Sequence, residues 1–206
     1  MVLRPMLPSP RKLRPLSLPN VLTYGRIACI PVVVGLLFWP GDPAMRWVAL
    51  GVYAIAGITD YLDGYLARLY EEQSSLGRML DPIADKLLVA ACLLMLVSDG
   101  TIRSWSLWAA IVILSREILV SGLREFLAEV KVSVPVSRLA KWKTTAQIVS
   151  VGFLIAGPAG DALLPRDWTL AIGLGLLWVA AFLTLVTGYD YMKASIRHLM
   201  EEDHGP

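Results

Sequence analysis

Six apolar stretches, each close to the length of a bilayer crossing, dominate the chain: roughly 21–39, 46–66, 82–98, 105–123, 144–160 and 168–189. About 20 predominantly apolar residues are needed for a helix to cross the hydrocarbon core. Within it only helices and closed barrels satisfy every backbone N–H and C=O. The runs therefore predict an all-α fold: a polytopic membrane protein with six transmembrane helices in one bundle. Composition agrees, since 56% of the 206 residues are hydrophobic and only 17% are charged, against about 25% in soluble domains. Mean hydropathy is +0.59. With no internal repeat or second domain, the chain divides into a basic, proline-rich arm over 1–19, a six-helix domain over 20–197 and a short tail over 198–206.

Charge orients the bundle. Arg4, Arg11, Lys12 and Arg14 precede the first run, and the connections on that side carry Arg68, Arg78, Arg124, Lys131, Arg138, Lys141 and Lys143. The opposite connections hold only Arg103 and Arg166, with Arg46 at a border. By the positive-inside rule both termini are cytoplasmic. Trp39, Trp47, Trp105, Trp108 and Trp168 all fall at the expected outer interface, as an aromatic belt requires. The net charge of +2 follows topology and does not indicate nucleic acid. The apolar run after the arm is too long for a secretory signal and no small-x-small cleavage site follows it, so it reads as an uncleaved span. Cys29 and Cys92 lie inside apolar runs, with no zinc or disulfide spacing.

Four aspartates break this pattern. Asp60 and Asp63 close the second run, and Asp81 and Asp85 open the third. A carboxylate at the centre of a membrane helix costs roughly 2.5–3.5 kcal/mol on insertion scales. Four within 26 residues require a compensating partner, and local Lys or Arg is not in surplus. Divalent cations with a preference for hard oxygen ligands, Mg²⁺ or Mn²⁺, fit. On helices, Asp60, Asp63/Gly64 and Ala67/Arg68 share one face, as do Gly77, Asp81 and Asp85. Two antiparallel helices joined by the polar segment 69–76 would aim the four carboxylates at one volume. Without bulk at Gly64 and Gly77, a nucleotide and its phosphates could approach the backbone. Asp60 lies thirteen residues beyond Trp47, about 20 Å along a helix, which puts the carboxylates in the cytosolic third. A divalent-cation transporter would also explain the aspartates, but it leaves Gly64, Ala67, Arg68 and Gly77 without a purpose.

The spacing D-x2-D-G-x2-A-R-x8-G-x3-D-x3-D, from Asp60 to Asp85, resembles the complete motif of the CDP-alcohol phosphatidyltransferases. That resemblance implies a six-helix bundle in which an alcohol displaces CMP from a CDP-linked lipid with a divalent metal. It assigns Asp60, Asp63, Asp81 and Asp85 to two metal ions, with Asp85 also the proton acceptor. Gly64, Ala67, Arg68, Ser74 and Gly77 would contact CDP-diacylglycerol. So would Thr23 and Arg26, because Asn20-Val-Leu-Thr23-Tyr-Gly-Arg26 is similar to the family's N-x2-T-x2-R entry to the first helix. It further implies a homodimer in the bacterial cytoplasmic (inner) membrane, with the active site facing the cytosol.

The acceptor alcohol depends on the second half of the chain. Arg116 and Arg124 stand at i and i+8 on one helical face, and Lys141 and Lys143 follow. Four cations near a metal site point to a bound phosphate, for which arginine forks are suited. Ordinary positive-inside charge is the competing explanation for Lys141 and Lys143, and Glu117 is a candidate partner for a neighbouring cation. The stretches S-R-E-I-L-V-S-G-L-R-E-F and K-W-K-T-T-A-Q resemble the branch of the family whose acceptor is sn-glycerol 3-phosphate. The resemblance implies that Arg116, Arg124, Lys141 and Lys143 hold its phosphate. Phosphatidylglycerol, inositol phosphate and serine remain alternative acceptors.

Overall fold

The computed structural model describes residues 18–39, 41–70, 75–130, 139–165 and 167–203; side chains between 63 and 76 are outside that description, as is most of the proline-rich arm. The described residues form six helices and no strand: α1 (Leu18–Leu37), α2 (Pro43–Tyr70), α3 (Ser75–Ser98), α4 (Ser106–Glu129), α5 (Leu139–Gly160) and α6 (Trp168–Asp203). Pro19 stands in the first turn of α1, where its missing N–H has no helical partner to lose. Several helices outrun their apolar stretches, and α6 continues through most of the segment expected as a tail.

Three helices are apolar and long enough to cross a membrane by length and composition: Asn20–Leu37 in α1, Ser106–Glu129 in α4 and Trp168–Arg197 in α6. The others, α2, α3 and α5, have 28, 24 and 22 residues. They are long enough, but each carries charged or amide side chains that turn inward. Arg46 on α2 and Lys143 and Gln147 on α5 are buried, and Asp81 and Asp85 on α3 are partly so. Large apolar side chains instead face outward, as lipid would require, among them Ile55, Leu94, Ile118 and Phe182.

α5 and α6 make the most extensive pairing, followed by α1 with α2, α4 with α6, α1 with α3 and α2 with α5. α5 and α6 approach closely because small residues meet at their interface. Ser150 Oγ donates to Gly173 O at 2.8 Å, and a Cβ on Gly173 would lie 2.8 Å from Leu154 Cδ2. Gly173 therefore serves packing within the chain. Val33, Leu93, Ile113, Leu154 and Leu177, from five different helices, meet in one core.

At the end carrying the α1–α2, α3–α4 and α5–α6 connections, one buried arginine of α2 ties α5 to the α3–α4 connection. Pro158 in α5 has no N–H to return to Leu154 O, and the backbone breaks at Gly157 with φ 46° and ψ −133°. Arg46 Nη1 donates to the freed Leu154 and Ile155 carbonyls at 3.4 and 3.2 Å. Its Nη2 meets Asp99 Oδ2 at 2.5 Å and Thr101 Oγ1 at 3.2 Å. Gly157 is needed twice, for its positive φ and because a Cβ there would sit 2.6 Å from Arg46 Nη1. Trp39, Trp47, Trp105, Trp108 and Trp168 are all exposed around this same end. Replacing Arg46 by Met strands a buried Asp99 carboxylate and is expected to cost about 3–5 kcal/mol. Denaturant unfolding in detergent micelles checks this, and the double change Arg46→Met/Asp99→Leu should recover part of the loss.

Candidate active site

The opposite half of the bundle gathers the charged residues into two clusters. The first begins on α1, where Asn20, Thr23 and Arg26 recur three residues apart and are all buried. This face meets α3, whose Asp81 and Asp85 lie one turn apart. Thr23 Oγ1 donates to Asp81 Oδ1, and Arg26 Nη1 donates to Asp85 Oδ1 at 2.6 Å. The two rungs run in the same order along both helices, so α1 and α3 are parallel. α2 adds Asp60, whose Oδ1 lies 2.8 Å from the same Arg26 Nη1. One guanidinium nitrogen thus carries carboxylates from two helices. The Arg26 side chain is 1% exposed, while Asp60 and Asp85 are 41% and 46% exposed. The cation is sealed in and the acids keep an open side.

Thr23, Arg26, Asp60, Asp81 and Asp85 are therefore brought together, and Gly77 is buried one turn before Asp81 on α3. Asp63, Gly64, Ala67 and Arg68 lie on the last turns of α2, with side chains beyond the description; Ser74 lies outside the described residues. Among the described residues no three acidic, histidine or cysteine side chains form a ready-made metal group. Arg26 engages Asp60 and Asp85 through one nitrogen and Thr23 engages Asp81, while the Asp63 side chain lies outside the described residues. The donor set itself, carboxylate oxygens with one open side, fits a hard divalent cation. Arg26 supplies positive charge to Asp60 and Asp85. That counter-ion role was not deduced from sequence, although the i+3 spacing of Thr23 and Arg26 facing the i+4 spacing of Asp81 and Asp85 was there to be read.

The second cluster lies on α4, α5 and α6. Lys143 Nζ donates to Glu117 Oε1, and Arg116 Nη1 lies 3.7 Å from the same oxygen. Arg116 Nη2 donates to Thr187 Oγ1 at 3.3 Å. Gly188 lets the arginine lie against α6, since a Cβ there would fall 3.0 Å from Arg116 Cγ. Two turns along α4, the Arg124 guanidinium stands 5.8 Å from the centre of the Tyr191 ring, within cation–π range. Lys141 is exposed, two residues from buried Lys143 and so on another face of α5. Arg116 and Lys143 are thus brought together around Glu117, Arg124 borders them, and Lys141 stands apart.

The α2–α5 register relates the two clusters. Tyr53 Oη donates to Ile148 O at 3.3 Å between antiparallel helices. Asp60 lies seven residues beyond Tyr53 and Lys143 five residues before Ile148, displacements of about 10 and 8 Å in the same direction. The acidic and basic clusters therefore occupy the same end of the bundle.

Together, fold and site define a multi-pass helical membrane protein with an acidic centre beside a basic one. Residues 16–186 match the family model described as CDP-alcohol phosphatidyltransferase, and the chain belongs to that family. It is 48% identical over 178 residues to the CDP-diacylglycerol–glycerol-3-phosphate 3-phosphatidyltransferase of Rickettsia bellii, covering 86% of this chain and 94% of that protein. A protein of the same description from Cereibacter sphaeroides is 36% identical over 217 residues, covering 90% and 98%. Similarity also extends to a cardiolipin synthase (CMP-forming) of Oryza sativa, 37% identical over 209 residues, covering 94% of this chain and 61% of that protein.

Replacing Arg26 by Met leaves Asp60 and Asp85 without their shared donor. The expected loss is about 1–3 kcal/mol of stability in detergent, against about 1 kcal/mol for Thr23→Val. Equal effects of the two changes would show that the guanidinium does not hold the carboxylates.

Proposed function

We propose that the chain transfers the phosphatidyl group of CDP-diacylglycerol to sn-glycerol 3-phosphate, forming phosphatidylglycerophosphate and releasing CMP. The observation that carries this reading is the pairing of a carboxylate cluster with a basic cluster at one end of the bundle, in a chain of this family. The names of the Rickettsia and Cereibacter relatives support the choice of acceptor. The rice cardiolipin synthase favours a second reading, in which phosphatidylglycerol is the acceptor. Phosphatidylglycerol carries one phosphodiester charge where glycerol 3-phosphate carries a doubly charged monoester, so it would leave Arg116 and Lys143 with less to do.

In this mechanism Asp60, Asp63, Asp81 and Asp85 would hold two Mg²⁺ or Mn²⁺ ions. When bound, such ions neutralise pyrophosphate charge and favour departure of CMP. Thr23, Arg26, Gly64, Ala67, Arg68, Ser74 and Gly77 form the CDP-diacylglycerol site. Arg116, Arg124, Lys141 and Lys143 orient glycerol 3-phosphate through its phosphate. Asp85 takes the proton from the acceptor hydroxyl. That oxygen then bonds to the lipid-side phosphorus as the phosphorus–oxygen bond to CMP breaks.

The reading includes six membrane spans, a homodimer, and both termini and the active site on the cytosolic side of the bacterial inner membrane. The five exposed tryptophans at the opposite end support that orientation.

The test is CMP release by purified protein given CDP-diacylglycerol, Mg²⁺ or Mn²⁺ and one acceptor at a time. Release dependent on sn-glycerol 3-phosphate is expected; release with phosphatidylglycerol alone would transfer the assignment to the second reading. Asp85→Asn should lower turnover by about 10²–10⁴-fold, the usual contribution of a general base, while CDP-diacylglycerol still binds. Arg124→Ala is expected to raise the acceptor KM about tenfold or more, as loss of a charge-assisted contact of about 1.5–3 kcal/mol implies. An unchanged KM would remove Arg124 from the phosphate site.

A further inference from the structure

Among the described residues, Glu117 is the carboxylate that contacts the cations of the second cluster. It contacts the two that are most enclosed, with side-chain exposures of 18% for Glu117, 14% for Arg116 and 8% for Lys143. Both approach a single oxygen, Oε1. A carboxylate oxygen shared by an ammonium and a guanidinium has the charge and hydrogen-bonding capacity of one phosphate oxygen. We propose that Glu117 is an internal stand-in for the acceptor phosphate, a positioning residue that holds Lys143 until a phosphorylated acceptor takes its place. This inference rests on the assignment of Arg116 and Lys143 to that phosphate.

The two cations are held differently, which decides where the exchange occurs. Arg116 is fixed from behind by α6: Thr187 accepts from its Nη2, and its stem lies on Gly188. Its Nε is buried without a hydrogen-bond partner among the described residues, so the arginine retains donor capacity that Glu117 does not fill. Lys143 has a flexible stem and a compact, freely rotating ammonium. Among the described residues its polar partner is Glu117. The lysine can therefore move from one acceptor oxygen to another while Arg116 remains in place. Arg116, Lys143 and Arg124 carry three positive charges against the single negative charge of Glu117. The surplus favours an anion with two charges, such as a phosphate monoester, over a neutral alcohol.

The cost of this device is competition. Glu117 repels the phosphate it prepares for, so its charge weakens acceptor binding while compensating two enclosed cations. Its neutral isostere should reverse that balance. In Glu117→Gln, inorganic phosphate should compete with sn-glycerol 3-phosphate at a concentration about three- to tenfold lower than in the unaltered protein, and the acceptor KM should fall in parallel. KM for CDP-diacylglycerol should not change. Glu117→Asp keeps the charge but withdraws it by one methylene; it should lie between the two and provides the test if the glutamine variant does not fold. A glutamine variant that folds yet binds inorganic phosphate as before, or more weakly, would make Glu117 a structural tie and overturn the proposal. If inorganic phosphate competes with the acceptor in neither protein, the phosphate site itself is misassigned and the proposal falls with it.

Discussion

Charge enclosed in an apolar bundle must be matched by charge, and this constraint organises the whole structure. Arg26 is the central case. Its guanidinium is sealed between α1, α2 and α3 and shared by Asp60 and Asp85. An isolated charge in such a place would carry a desolvation penalty of several kcal/mol even after relaxation. Sharing one donor between two partly open carboxylates offsets it and sets the relative position of three helices. The same residues that make the bundle cohere at this end are those assigned to the proposed site.

The opposite end is closed by a comparable device with a different consequence. Arg46 gathers the Leu154 and Ile155 carbonyls at the Gly157–Pro158 break and pairs with Asp99, all within a dense, buried environment. No side is left open to solvent there, whereas Asp60 and Asp85 keep one. The bundle therefore has a fastened end ringed by tryptophans and an end whose charges remain accessible. That asymmetry follows from where polar side chains interrupt otherwise apolar helices.

Much of the acidic cluster was legible in sequence: helical periodicity aligns Asp81 with Asp85, and the family resemblance singled out Thr23 and Arg26. What periodicity could not supply was the match between those faces. The parallel packing of α1 on α3 turns two separate motifs into two rungs, and it makes Arg26 a counter-ion as well as a candidate substrate contact. On the basic side, spacing singled out Arg116 and Arg124 but treated Lys141 and Lys143 alike. A two-residue step on α5 turns one outward and buries the other. Glu117 was visible only as a candidate partner, since its neighbours in space come from α4 and α5.

The sequence by itself determined the helical class, because no other structure reconciles such long apolar runs with the hydrogen-bonding demands of the backbone. It also determined which residues are costly enough to require a purpose, because an aspartate within an apolar run carries its penalty wherever the helix packs. Only the tertiary structure decided which charges meet. Partners such as Arg26 and Asp85, or Lys143 and Glu117, are tens of residues apart, and their encounter depends on helix register and crossing. Those are set by packing between side chains of different helices, a property that no local stretch of sequence contains.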